Sequence, residues 1–452
     1  MAGKYLRGTS PNILLLGVVS FLNDLSSEMI IPILPMFILA LGGGGFTVGL
    51  VGGLQESISS LLKVLSGHWS DRVGRRKVFV ASGYLTSACF KLLLSFSAVW
   101  QHVLVFVSLE RVGKGLRTAP RDAIIADSAP AEARGRGFGI HRAFDTAGAI
   151  FGGFAVLLFY WFFGLGFKFI IFVAAVVAFF SVLPIYFVKE ERRRRGTEPQ
   201  EQEPQEQEQR QEQKPQEQEP QEQEPQGTRE RRRSEETGLR ESLKELPTPL
   251  KFFVVVATVF AFANFTYMFF ILKAEATFLA VMPVKEASAL VILLYVFFNI
   301  FYAVFAIPFG TLSDRIGKRK MLIFGYLLFS VVCLGFAFSD SLSPFSSLTT
   351  FLFLFPLYGV VFAMVEGTQR ALVADLSDLS ASAGDLRATA LGTFHTLTGV
   401  AALPASLIAG FLWSVPATHL PSYCLTFLYG STVSLVSVGL FVGLQKHFKD
   451  CH

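Results

Sequence analysis

The sequence predicts an all-α membrane protein with twelve transmembrane helices in two related halves. Three observations predict it: apolar runs of membrane-crossing length, a hydrophilic break near the middle, and one loop signature written once in each half. Of the 452 residues, 52% are hydrophobic and 17% charged, whereas a soluble chain carries about 25% charged residues. The mean hydropathy is +0.48. The excess is gathered into runs of about 20 residues, the length that crosses a bilayer core as a helix. The 47 Phe residues suit lipid-facing surfaces.

The spans fall near 11–39, 46–69, 77–98, 102–127, 137–161, 167–188, 251–280, 287–312, 320–338, 348–376, 388–412 and 422–445. The chain therefore divides into residues 1–188, a hydrophilic linker over 189–250, and residues 251–452. The linker centres on EPQEQ-like units over 198–226 and has almost no apolar residues. It cannot bury a core, which predicts a disordered tether. The first apolar run holds Asp24 and Glu28 and lacks a small-residue cleavage site, so no cleavable signal is expected.

Basic residues favour alternate loops: Lys4 and Arg7, Arg72 to Lys77, Arg134 and Arg136, the linker, Arg315 to Lys320, Arg387, then Lys446 and Lys449. The positive-inside rule places both termini and the linker in the cytoplasm. The net charge of +5 then needs no nucleic-acid partner. The four cysteines, Cys89, Cys333, Cys424 and Cys451, have neither metal-ligand nor disulfide-framework spacing. No cofactor or metal is indicated. No HExxH, GxSxG or Walker loop is present, which argues against an enzyme.

The loop signature after the second span is GHWSDRVGRRK over residues 67–77. After the eighth it is GTLSDRIGKRK over 310–320. Gly67 and Gly310 would let a neighbouring helix come close. Gly74 and Gly317 suit a tight turn. Asp71 and Asp314 can accept from a helix N-terminus or pair with a cation. Arg72, Arg75 and Arg315 anchor the loops at the headgroups. A basic loop alone does not account for the serine, aspartate and glycine positions recurring in both halves. A second repeat matches Ala123 to Asp127 with Ala371 to Asp375.

The signature resembles the loop 2–3 motif of the major facilitator superfamily and its copy in loop 8–9. The resemblance covers the chain outside the linker. It implies two pseudo-symmetric six-helix bundles around a central cavity that opens alternately to each side, lined by spans one, four, seven and ten. It also implies that Asp71 helps hold the outward-open state against the start of the eleventh helix. The runs 23–29, 117–123 and 366–375 are similar to a bacterial branch of permeases in that family.

Charges at bilayer depth are costly and tend to be functional. Asp24 and Glu28 lie one turn apart in the first span. In the fourth, Arg111, Lys114, Arg117 and Arg121 occupy an arc of roughly 120°, which cannot face lipid. Arg111, Lys114 and Gly115 resemble the family's RxxQG motif, with Lys114 in place of Gln, and the resemblance implies proton coupling. Asp24, Glu28, Arg111 and Lys114 are therefore the expected cavity charges, for solute or proton. The alternative is that Asp24 simply pairs with Arg111 or Lys114. Glu56, Lys63 and Lys91 read as structural pairs. On the other half, Asn264 and Tyr267, with a stripe of Tyr295, Asn299 and Tyr302, suit an organic solute or interhelical hydrogen bonding.

Nearer the cytoplasm, Arg121, Asp122, Asp127, Arg142 and Asp145 face Glu366, Arg370 and Asp375. Arg142 and Asp145 can pair along one helix. Some of these groups are expected to form a gate of pairs between the halves. Gly148, Gly152 and Gly153 resemble an exporter motif, though small residues at that spacing also serve ordinary packing. The expected partners are a small solute, protons and the bilayer, in a cell membrane such as the bacterial inner membrane, with a monomer as the working unit. The competing function is a transport-inactive receptor or scaffold that binds a partner through the linker.

Overall fold

The computed structural model describes residues 10–129, 134–190, 246–341, 344–378, 383–415 and 421–444. The core of the linker lies outside them, as do the tether reading that rests on it and the side chains of Asp71, Arg134 and Arg387.

The first half comprises α1 (Pro11–Ile30), α2 (Leu34–Ala40), α3 (Gly45–Val73), α4 (Arg76–Ser95), α5 (Trp100–Asp127), α6 (Arg134–Leu157) and α7 (Phe167–Phe180). The second comprises α8 (Thr248–Ala263), α9 (Met268–Leu279), α10 (Val284–Ile316), α11 (Lys318–Ala337), α12 (Pro344–Ser377), α13 (Ala383–Ser414) and α14 (Ser422–Gly443). Among the described residues, eleven helical segments are long and apolar enough to cross a membrane. The twelfth is α5, whose charges from Glu110 to Asp127 lower its hydropathy without shortening it. Three expected spans are broken, the sixth by a turn at Ser181 and Val182 before a short 3-10 helix over Leu183–Phe187. The first turns at Ile31 to Ile33, beside Pro32, and the seventh opens between Asn264 and Tyr267.

The two signature loops define one face of the molecule, called here the motif face; the other is the distal face. Gly74 ends α3 with φ +68°, and Gly317 separates α10 from α11 with φ +96°. Both turns need the left-handed region that glycine occupies freely. The signatures also meet the second sequence repeat. Arg76 forms an ion pair with Asp127, and Lys318 with Asp375 at 2.5 Å. Glu190 accepts from the Arg76 backbone N–H at 2.5 Å and that of Lys77 at 3.3 Å, capping the start of α4.

The halves meet along α3 and α13 from the distal face inward. A Cβ built at Gly49 would lie 2.1 Å from the Ser406 carbonyl oxygen. One at Gly410 would lie 2.7 Å from that of Gly45. Ser57 Oγ donates to the Gly399 carbonyl at 2.6 Å. At the distal rim, Lys285 sits 5.7 Å from the centre of the Trp161 ring. Toward the motif face, Gly139, Gly310, Gly367 and Gly392 have nothing within 4 Å of such a Cβ among the described residues. The close helix approach expected at Gly310 is therefore not made. Gly67 does have a neighbour, Ala119, at 3.3 Å. The difference follows from packing, because α3 lies along α5 at its motif end while the end of α10 stands apart.

The phenylalanines do more than face lipid. Phe270, Phe329, Phe336 and Phe427 are buried in the second half and stack or meet edge-on with one another and with Tyr358. Others, including Phe162, Phe163 and Phe353, are exposed on the outer surface.

A second buried charge pins the distal end of this half. Lys273 of α9 is 1% exposed and ion-pairs with Asp340, and its ammonium lies 3.6 Å from the centre of the Tyr423 ring. Asp340 stands in the loop between α11 and α12. Partial burial opposes its charge, but hydrogen bonds from Lys273, Tyr423 and Thr277 outweigh this and hold the carboxyl below its usual range. A depressed pKa contributes stability above the unfolded value near 3.9, lost as pH falls through the folded value. Asp340→Asn is expected to cost about 1–2 kcal/mol near neutral pH. That is less than a fully buried pair, because Asp340 is 41% exposed. Thermal unfolding should show the wild-type advantage constant from pH 5 to 8 and shrinking below about pH 4.

Candidate functional site

Glu28 of α1 reaches across the boundary between the halves. Its Oε2 accepts from the Tyr295 hydroxyl at 3.0 Å and from Asn299 Nδ2 at 3.4 Å, both on α10. Gly152 brings α6 close behind it, since a Cβ there would lie 2.4 Å from the Leu25 carbonyl oxygen and 2.8 Å from Glu28 Cβ. Gly148 packs the same way on Phe21. These glycines thus seat α6 on α1, while Gly153 faces Val296 of the other half. Asp24, one turn from Glu28, accepts from Asn23 at 3.0 Å. No ion pair from Asp24 to Arg111 or Lys114 is formed among the described residues.

The basic face of α5 divides into two parts. Arg117 donates to Ser87 at 2.5 Å and lies 4.3 Å from the Tyr84 ring centre, tying α5 to α4. Arg121 donates to Asp122 at 2.9 and 3.1 Å and to Ser20 of α1 at 3.1 Å. Arg111 and Lys114 face the centre. Arg111 Nε is 3.2 Å from Glu110 Oε2, yet it is buried with no hydrogen-bond acceptor. We read this as an ion pair whose angle leaves the N–H unsatisfied. Lys114 is exposed although it lies mid-helix, with Arg111, Glu56, Asp24 and Glu110 as its charged neighbours.

Glu56 differs from the expected structural pair. It is exposed, and its contact is Ser60 at 3.5 Å. It shares a face of α3 with Gly52 and Ser60, which meet Thr266 and Gly399 of the other half. The recurrence of Gly52, Glu56 and Ser60 at four-residue spacing is the sequence signal for that placement. Lys91 is buried and donates to Ser26 at 3.0 Å and Ser27 at 2.8 Å, as a structural group would.

From the second half, the break in the seventh span brings Tyr267 to this space. Asn264 ends α8, and the Thr266 backbone N–H donates to Ser406 Oγ at 3.1 Å. The Tyr267 hydroxyl is buried without a partner, and its ring centre is 6.0 Å from that of Tyr295. Asp24, Glu28, Glu56, Arg111, Lys114, Tyr267, Tyr295 and Asn299 thus converge where the halves meet.

The expected gate residues behave otherwise. Asp145 does not pair with Arg142; it lies 3.6 Å from His141 Nδ1, one turn back. Arg142 instead donates to the Tyr302 hydroxyl at 2.9 Å across the halves, and Tyr302 hydrogen-bonds Glu366. The reason is reach: Arg142 points toward α10, while His141 turns inward to Ser20 and Asp145. Arg370 pairs with Glu366 at 2.5 Å within its own half. Arg72, Arg75, Asp314 and Arg315 are exposed on the motif face. Among the described residues no ion pair crosses between the halves. No three His, Cys, Asp or Glu side chains among them stand together as a metal site requires.

The sequence profile of the Major Facilitator Superfamily matches residues 16–405. The chain belongs to the major facilitator superfamily. An uncharacterized MFS-type transporter of Methanocaldococcus jannaschii is 46% identical over 431 residues, covering 95% of this chain and 94% of that one. A tetracycline resistance protein, class E, of Escherichia coli is 31% identical over 145 residues, covering 30% of this chain and 35% of that one. In fold, the nucleoside transporter NupG superposes with a TM-score of 0.70 at 14% identity, over 96% of this chain and 99% of that one. The protein is an integral, multi-pass membrane transporter of this superfamily with the twelve-helix fold.

Proposed function

We propose that the protein is a proton-coupled secondary transporter that moves a small organic solute by alternating access, in the direction of export. The observation that carries the reading is the acid pair on α1. Glu28 holds two groups of the opposite half, and Asp24 lies one turn away. An acid that binds across a boundary between halves can link its protonation to their separation. The halves, residues 1–188 and 251–452, act as the moving bodies, joined by the linker over 189–250. The basic motif face is the cytoplasmic one, so the arrangement described is open inward and sealed outward. Arg142, Tyr302 and Glu366 begin the gate that completes when the motif face closes. Export is proposed because a resistance protein is among the relatives, and removing a solute from the cell is one way to serve resistance. The unit is a monomer in a cell membrane.

Purified protein in liposomes, under an imposed pH gradient, should accumulate a solute from a screened library. Asp24→Asn protein that inserts normally should lose about 10- to 100-fold of that flux, from the loss of a half-buried ionisable group. Equal flux in both proteins would remove the proton role. No flux for any solute would favour the scaffold reading.

A further inference from the structure

Of five cavity-facing charges, only Arg111 lies against a counter-ion among the described residues, and the Lys114 and Glu56 side chains are the least engaged, Glu56 accepting only from Ser60 at 3.5 Å. Glu28 is occupied by Tyr295 and Asn299, Arg111 lies against Glu110, and Asp24 accepts from Asn23. Lys114 of α5 and Glu56 of α3 are both exposed at the boundary between the halves. They are electrostatic neighbours, yet no ion pair within 4.0 Å joins them. Two buried donors beside them, Arg111 Nε and the Tyr267 hydroxyl, have no acceptor. Buried polar groups left unpaired are costly and call for a partner. The unmet demand is therefore for one negative group near Lys114, Arg111 and Tyr267, and one positive group near Glu56.

We propose that this space binds a small zwitterion of amino-acid type. Its carboxylate lies on Lys114, Arg111 and Tyr267, and its ammonium on Glu56. The assignment deepens the transport reading above and rests on it. A simple anion would satisfy Lys114 but meet repulsion from Glu56, Glu28 and Asp24. A simple cation would satisfy Glu56 and leave Arg111 and Tyr267 unpaired beside Lys114. A zwitterion meets both demands without adding net charge to the space between the halves. The Tyr267 and Tyr295 rings supply an apolar wall for its side chain.

The test uses the full chain in lipid nanodiscs and three probe pools at equal concentration. These are the protein amino acids, their amides, and the carboxylic acids that lack the amino group. The amino acids should raise the thermal midpoint, and the two singly charged pools should bind at least about tenfold more weakly. Glu56→Gln should bring the carboxylic acids up to the level of the amino acids, and Lys114→Gln should do the same for the amides. A wild-type preference for either singly charged pool overturns the assignment. So does a cooperatively unfolding wild type that ignores all three. Proteoliposome flux separates the two readings. Proton-driven transport of a solute outside these pools, without amino-acid binding, removes the zwitterion and keeps the transporter. Amino-acid binding with the expected variant pattern but no flux keeps the site and removes the transporter.

Discussion

Glu28→Gln is expected to abolish pH-driven accumulation while leaving solute exchange across the membrane intact. Glutamine keeps the size of the side chain and an oxygen that can accept from Tyr295 and Asn299, so the contact between α1 and α10 survives in the neutral state. What is lost is the ability to change charge. In the wild type, the ionised carboxylate makes two charge-assisted hydrogen bonds across the halves, and these are stronger than their neutral counterparts. Protonation weakens them and eases separation, so each cycle is tied to a proton. With glutamine the link is permanently in its weak form. The driven rate should fall about 100-fold, the upper end of what ~3 kcal/mol of charge-assisted bonding supplies. Counterflow at equal pH on both sides should stay near the wild-type rate, because it needs solute but no net proton movement. Driven accumulation retained in the glutamine protein would remove Glu28 from the coupling path. Loss of both activities would mark it as a packing residue.

The parts of this molecule that were legible in sequence follow from regular spacing. Apolar runs of fixed length gave the spans, and the twin signature gave the pseudo-symmetry and the glycine turns at Gly74 and Gly317. The stripe Tyr295, Asn299 and Tyr302 was readable because helical periodicity puts all three on one face, and that face does meet the other half. What escaped depends on side-chain direction and on long-range packing. Arg142 and Asp145 have a spacing that permits a pair, but the choice between His141, Tyr302 and each other is made by neighbouring helices. Glu56 looked like a charge inside its own bundle because nothing local shows that Gly52 and Ser60 carry its face against the other half. The basic arc on α5 was visible as one face, yet two of its members are claimed by Ser87, Tyr84 and Ser20, residues on other helices. The Gly148 to Gly153 stripe shows the opposite case: the spacing was plain, and packing on Phe21 and Leu25 accounts for most of it.

Gly49→Ala is expected to shift the molecule away from the distally sealed state and to stop transport. The added Cβ would lie 2.1 Å from the Ser406 carbonyl oxygen and 3.0 Å from its carbon. Carbon contacts settle at roughly 3.5–4.0 Å, and the obstacle is backbone rather than a side chain that could swing aside. The helices α3 and α13 must therefore part, which strains the neighbouring close approaches of Gly53 on Leu403 and Gly410 on Gly45 and the bond from Ser57 to Gly399. Overpacking of this kind costs about 1–3 kcal/mol. If the halves rock, the cost falls on the sealed state alone, and the population ratio moves about 5- to 150-fold toward the opposite state. Spin labels at the exposed distal positions Leu39 and Val284 should then report a longer distance, with the thermal midpoint little changed. Gly139→Ala, where a Cβ meets nothing within 4 Å among the described residues, should leave the distance unchanged. A lowered midpoint with an unaltered label distance in Gly49→Ala would mean that the α3–α13 seam is a permanent interface. Alternating access through it would then have to be abandoned.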